Sequence, residues 1–327
     1  MKFPLISRRN LLGSASLLAV GGALAQPTSS KTTTLVLSTP PGGAVDVLGR
    51  ELAARMGQIL GTTIIVVSKA GASGMLAAQA VARSPADGHT LLLTHSTPIL
   101  YMPHLFPKIA YDVTRDLKFV TQICEADLVL VVNKDVPVKN LREFLQWAAA
   151  NRGKVSYGSY STGSAGHLLS EYLSISRNLE MTHVPYKGEG PMLQDIMGGQ
   201  ISWGLSIFGS AAAHVASGRM RALAVTGPRR FPQMPDVPTF TEAGLRDDEF
   251  QVMGGILMLM PAGVPTPVAD KIEAAAREAV ASTGMKARFQ LYGLRGTGDS
   301  SANTRKAFDD SSPIIAKLVK ASGVKLD

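Results

Sequence analysis

The feature that most constrains this chain is an alternation. Short runs of β-branched or apolar residues keep giving way to longer stretches with apolar residues at helical spacing. "TLVLST" (34–39) reads as a strand and Val45–Leu60 as a helix, "TIIVVSK" (63–69) as a strand and Gly74–Arg83 as a helix. "HTLLLTH" (89–95) is a third strand, followed by a proline-rich loop. "LVLVVN" (128–133), "VSYGSY" (155–160), "MTHVPY", "ISWGLSI", "RALAVTG" and "QVMGGILMLMPAG" continue the series, with helices over 138–153, Gly166–Arg177, "GPMLQDIMGG", 210–217 and "PTPVADKIEAAAREAVAS". Strands joined by crossover helices predict parallel sheets covered on both faces, the α/β class. The segment 227–244 holds four prolines and no long apolar run, and reads as an irregular surface connection.

At 327 residues and 45% hydrophobic, the chain suits two domains. Its first 25 residues read as something other than domain. A basic start, the apolar small-residue run "LLGSASLLAVGGALA" and the Ala23-Leu24-Ala25 site make a secretory signal peptide, with the mature chain starting at Gln26. An uncleaved anchor is the alternative. The run is short and rich in small residues for a membrane span of about 20 residues. The adjacent Arg8 and Arg9 suggest twin-arginine export, with the general secretory route left open. The protein is therefore expected in a bacterial periplasm. The formal charge is +8, and Lys2, Arg8 and Arg9 in the leader leave +5 for the remainder, a modest surplus that suits a carboxylate ligand. No basic run interleaved with aromatics points to nucleic acid. Cys124, the one cysteine, permits no internal disulfide and reads as a buried small residue.

In doubly wound sheets, ligands sit beyond the carboxyl ends of strands, on loops that open the next helix. Two loops fit. "STPPGGAVD" (38–46) runs from strand to helix through two prolines and two glycines. "GSYSTGSAGH" (158–167) carries four serine or threonine side chains and three glycines. Each would offer unpaired amides at the positive end of a helix, a site for an anion. Asp46 reads first as a helix N-cap and second as a ligand contact. The bland alternative is that both loops are merely capped turns. Catalytic sets are not visible: the six histidines lack H-E-x-x-H or H-x-H spacing, "GSYSTG" is not a nucleophile elbow, and "GLRGTGDS" (293–300) lacks the third glycine of a dinucleotide fingerprint. Met253, Met258 and Met260 read as core filling. No metal or cofactor is expected.

At these loops the sequence resembles the Bug family, extracytoplasmic solute receptors of tripartite tricarboxylate transporters. "PPGGAVD", "SPADGHTLLL" (84–93), "NRGKVSYGSYSTGSAGH", "HVPYKG" (183–188), "GGQI" (198–201), "RALAVT" (221–226), "PDVPTFTEAG" (235–244) and "PAGVPTP" (261–267) follow the family's motifs in order. The resemblance implies a type II periplasmic-binding-protein fold: two lobes, each with a mixed, mostly parallel sheet flanked by helices, and a ligand cleft between them. Residues 26–127 plus 251–327 would form one lobe and 128–250 the other, with crossings near Ala126–Leu128 and Gln251–Gly254. Carried over by motif, the ligand's carboxylate would meet Pro41, Gly42, Gly43, Ala44 and Asp46 on one lobe, and Ser159, Thr162, Gly163, Ser164 and His167 on the other. Lys187 and Ser206 are further candidates. Ser73 and Met75 depart from the family's G-A-G-G-N loop, and Ser206-Ile207-Phe208 departs where many members carry Asp or Asn. Met, Ile and Phe there suggest apolar walls and an aromatic or otherwise apolar-bodied carboxylate. The expected partners are that ligand and membrane permease subunits, for a monomeric receptor. A sensor feeding a signalling kinase is a second use, and a hydrolase built from Ser159 or Ser161 with His167 a third.

Overall fold

The computed structural model describes residues 32–252 and 254–326. The leader read over residues 1–25 and the core role read for Met253 lie outside the described residues. The chain opens with β1 (Thr33–Leu37), α1 (Ala44–Leu60), β2 (Ile64–Ser68), α2 (Met75–Ala82) and β3 (Thr90–His95). Two one-turn helices, α3 (Met102–Leu105) and α4 (Val113–Asp116), lead to β4 (Leu117–Ala126). Then come β5 (Leu128–Asn133), α5 (Leu141–Ala150), β6 (Ser156–Ser159), α6 (Ala165–Ser176) and β7 (Thr182–Pro185). They are followed by α7 (Glu189–Met197), β8 (Trp203–Ile207), α8 (Phe208–Ala216) and β9 (Met220–Val225). The last elements are β10 (Gly254–Pro261), α9 (Thr266–Val280), α10 (Thr283–Tyr292), β11 (Arg295–Gly296) and α11 (Ser301–Ser322).

These strands make two sheets, in the orders β11-β4-β10-β3-β1-β2 and β7-β6-β8-β5-β9. Alternate residues of one strand feed opposite cores, as a sheet covered on both faces requires. Leu35 and Leu37 of β1 pack with α1 and α9, while Val36 packs with α2. Val129 and Val131 of β5 face one core of the second sheet, and Leu128, Leu130 and Val132 the other. Met258 and Met260 are buried in the first sheet's core, and so is Cys124, whose thiol burial pushes up to about 12.

The sheets are mixed rather than parallel throughout. β5 runs antiparallel to β8 and β9, and β10 antiparallel to β3 and β4. The reason is how the chain changes sheets. β4 ends at Ala126 and β5 begins at Leu128, with Asp127 alone between them. A strand that passes straight out of one sheet enters the next from the cleft side, where the other strands end, and so must run against them. β10 returns to the first sheet in the same way. Its first residue, Gly254, stands beside Ala126, so the two crossings lie side by side.

An ion cluster braces these crossings. Arg295 in β11 reaches Glu125 at 2.8 Å and Asp127 at 3.0 Å, and Arg229, from the segment after β9, reaches Glu125 at 3.2 Å. Both carboxylates are buried. An Arg295→Met substitution would leave them without their better-shielded cation. We expect a loss of about 2 kcal/mol, below the full cost for a sealed pair because Arg229 remains, read as a melting temperature lowered by about 5 °C.

The C-terminal helix α11 also joins the two halves. Ser301 Oγ donates to the Phe119 carbonyl and the Gln122 amide donates to Thr304, both on β4. Its far end instead buries Ile315, Leu318 and Val319 in a core shared with Leu168, Leu169 and Leu173 of α6. Among the described residues no helix is long and apolar enough to cross a membrane.

Candidate functional site

The strands β1, β3, β6 and β8 all end toward one cavity of about 810 Å³, whose lining draws on both sheets. The first loop of interest fills the six residues between β1 and α1. Gly43 is the N-cap of α1 and offers no side-chain cap, so the first amides of the helix keep no intrahelical acceptor. Gly43, Ala44 and Val45 line the cavity. Asp46 is not the N-cap that the sequence suggested. It is the third helical residue, and its carboxylate reaches back to accept the Gly42 amide at 3.0 Å. Arg50, one turn on, pairs with it at 2.9 Å. The Arg50 hydrogen bond, then the Gly42 amide, hold the Asp46 carboxyl below its ordinary range. Asp46 therefore shapes the loop, with its charge spent on Arg50.

The second loop lies between β6 and α6. Ser164 is the N-cap, and its hydroxyl accepts the His167 amide at 3.2 Å. The His167 ring in turn accepts the Gly163 amide on Nδ1 at 3.0 Å, which places the proton of a neutral ring on Nε2. Burial keeps that ring neutral, pushing it down to about 4. His183 stacks on it with ring centres 3.8 Å apart, and His183 Nε2 lies 2.7 Å from Ser159 Oγ. Gly163 sits at φ +75°, where a side chain would be strained, and a Cβ there would stand 2.8 Å from Leu326. Two stacked histidines, a buried serine and the C-terminal tail thus form a floor under the loop. Above that floor, Tyr160, Ser161, Thr162, Ser164 and Ala165 face the cavity.

Of the residues chosen from sequence, the cavity brings together Gly43, Ala44, Thr162 and Ser164. Asp46, Ser159, Gly163 and His167 lie behind the lining and hold its shape. Pro41, Gly42 and Lys187 are exposed and stand outside the lining. Ser206 is buried and donates to the Glu189 carboxylate, which also accepts the Ile207 amide at 3.1 Å. Burial pushes Glu189 up to about 7. That cluster aims Ile207 into the cavity.

The apolar wall differs from the one read in sequence. Of Met75, Ile207 and Phe208, only Ile207 lines the cavity. Phe208 is buried, stacked on Phe231 at 4.0 Å, and Met75 packs against two cores. Leu291, Tyr292 and Leu294, from the end of α10 and the turn beyond it, supply the rest of the wall. Sequence reasoning marked Ser73 only as a departure from the family's loop and passed over Thr39, His95, Ser96 and Thr97 as anchors. The signal for His95 was present: it ends a strand, as the glycine-rich loops do, but its loop lacks the glycines that draw attention.

A sequence profile described as "Tripartite tricarboxylate transporter family receptor" matches residues 48–324. The protein BugT of Bordetella pertussis is 31% identical over 293 residues, 89% of this chain and 89% of that protein. Two solved structures from Rhodopseudomonas palustris are similar. Rpa4515 with adipate has a TM-score of 0.77 at 27% identity, over 90% of this chain and 98% of its own. MatC with bound malate has a TM-score of 0.74 at 28% identity, over 89% of this chain and 99% of its own.

Proposed function

This chain belongs to the tripartite tricarboxylate transporter receptor family, and from that premise we propose that it captures a small carboxylate between its two lobes and presents it to membrane permease subunits. One observation carries the reading: the N-termini of α1 and α6, one from each sheet, line the same cavity. A helix start offers amides that want an anion, and two facing starts can share one carboxylate. The amides of Gly43 and Ala44, with Thr162 and Ser164, would hold it directly. Asp46, Gly163, His167 and Ser159 would act through the loops they shape. The lobes would be residues 26–127 with 251–327, of which 26–31, 253 and 327 lie outside the described residues, and residues 128–250, hinged at the adjacent crossings. Contacts to both lobes exist together only when the cleft is closed, so ligand would shift the protein toward the closed state. The leader read in the sequence would place the protein in the periplasm.

A hydrolytic reading gains little from the geometry. Ser159 is buried outside the cavity lining and bonded to His183, and His167 spends Nδ1 on the Gly163 amide.

Apolar side chains at Ile207, Leu291, Tyr292 and Leu294 favour a ligand with an apolar body. Calorimetric titration with benzoate-type acids, citrate and aspartate tests this. Benzoate-type acids are expected to bind and to raise the melting temperature. Preferential binding of citrate or aspartate would refute the apolar body, and binding of no carboxylate would refute the receptor.

A further inference from the structure

We infer that the cleft selects a monocarboxylate whose second polar feature is neutral, with His95 and Thr39 as the side chains that meet that feature. The inference rests on the receptor reading above and narrows its ligand. Its first observation concerns charge. Among the described residues, no Lys, Arg, Asp or Glu side chain lines the cavity. The arginines nearest in the chain are committed elsewhere, and Lys69, four residues before the lining residue Ser73, is exposed. Arg50 pairs with Asp46, and Arg295, next to the lining residue Leu294, pairs with Glu125 and Asp127. One carboxylate can be held by neutral amides at two helix starts. A second one, taken out of water among Ile207, Leu291 and Leu294, would find no cation to offset its lost hydration.

The second observation concerns orphaned polar atoms. His95 Nδ1 and Thr39 Oγ1 are both buried without a hydrogen-bond partner, and both residues line the cavity. Buried polar atoms are nearly always paired, so two of them at one cavity call for a partner from the ligand. His95 ends β3 and Thr39 stands two residues beyond β1, on neighbouring strands of the first sheet. Burial pushes the His95 ring down to about 4, so it meets the ligand as a neutral donor or acceptor. A hydroxyl, a carbonyl or a ring nitrogen would pair with it without bringing a second charge into a lining that holds no cation. The ligand class is therefore an apolar monoacid with one neutral hydrogen-bonding group, unlike adipate or malate, each with two carboxylates.

The test uses acid pairs that differ by one carboxylate: benzoate against terephthalate, and hexanoate against adipate, titrated calorimetrically into the full-length mature protein at neutral pH. Each monoacid is expected to bind at least about tenfold tighter than its diacid. The His95→Arg variant, which puts a cation where the neutral ring stands, should shift the monoacid-to-diacid ratio toward the diacid by at least about tenfold. Ser210→Arg, on the partly exposed first turn of α8 at the cavity edge, repeats the test where a long side chain reaches water. Equal or tighter diacid binding to the wild type overturns the inference while leaving the receptor reading intact. So does a ratio that neither variant moves. Failure of all four acids at millimolar concentration overturns both.

Discussion

The Gly209→Val variant is expected to bind its carboxylate about 100-fold more weakly than the wild type, while its ligand-free form folds and melts almost as before. Gly209 lies in the first turn of α8, on the second sheet, and faces the backbone at the end of α10, on the first. A Cβ at 209 would meet the Tyr292 carbonyl oxygen closer than side chains ever approach, and the carbonyl carbon at 2.8 Å. Those are backbone atoms, so no rotamer change relieves the clash. Gly293 sits beside them at φ +60° and is itself hemmed by Phe208. In the proposed two-lobe arrangement, parting of the lobes relieves it. Neither half loses packing of its own, and valine is a slightly better helix former than glycine. What changes is the closed population. If closure becomes about 2.7 kcal/mol harder, the apparent dissociation constant rises by the matching factor of about 100. Calorimetry gives the affinity, and solution scattering with saturating ligand should show a larger radius of gyration than for the wild type. An affinity within about twofold of the wild type would mean that the Gly209–Tyr292 approach has no part in the ligand-bound state.

What could be read from the residues followed their locality. β1 and β3 are β-branched and apolar runs flanked by turn residues, β5 is an apolar run closed by Asn133, and their pattern alone places them. β4 carries the same kind of run, but Lys118, Thr121, Gln122 and Glu125 interrupt it, and no glycine or proline separates it from β5. A crossing made with Asp127 alone leaves no turn signal, so ten residues of strand merge into their neighbour. Asp46 shows a finer limit. Its type suits a helix start, yet whether it caps its own position or reaches back depends on Gly42 adopting φ +95°, which the residue order does not dictate. The two glycine-rich loops were legible because strand, loop and helix are adjacent in sequence. The wall of Leu291, Tyr292 and Leu294 was not, since it reaches the cavity only through packing of α10 roughly 250 residues after the first loop. Phe208 failed for the complementary reason. It sits beside a cleft residue in sequence, but helix geometry turns it onto Phe231 and into the core.

At Gly43, stability and binding are expected to move in opposite directions. Its backbone sits at φ −84°, ψ 175°, which any residue can adopt, and a Cβ there would meet nothing within 4 Å. As the N-cap of α1 it provides no side-chain acceptor, so Gly43→Asp installs one. An aspartate cap satisfies an amide of the first turn, and the helix dipole favours its charge. Capping in place of glycine contributes only a few tenths of a kcal/mol. Repulsion from Asp46 is muted because Arg50 already pairs with it. The ligand-free melting temperature should therefore hold or rise slightly. Binding should collapse, because the new carboxylate takes the amides proposed for the ligand and repels the ligand's own charge. Two like charges about 4 Å apart near a protein surface cost about 4 kcal/mol at an effective dielectric of 20, so a loss of at least about 100-fold in affinity is the expected reading. Gly43→Ser separates the two causes. It caps without charge, competes for the same amide, and should cost about tenfold or less. If the aspartate variant bound carboxylate as tightly as the wild type, the start of α1 would not be where the anion rests, whatever the loop on α6 does. If the serine and aspartate variants lost affinity equally, the amides would matter and the field around them would not. A large loss for aspartate and a small one for serine, with both proteins as stable as the parent, is the pattern that two facing helix starts around one negative charge require.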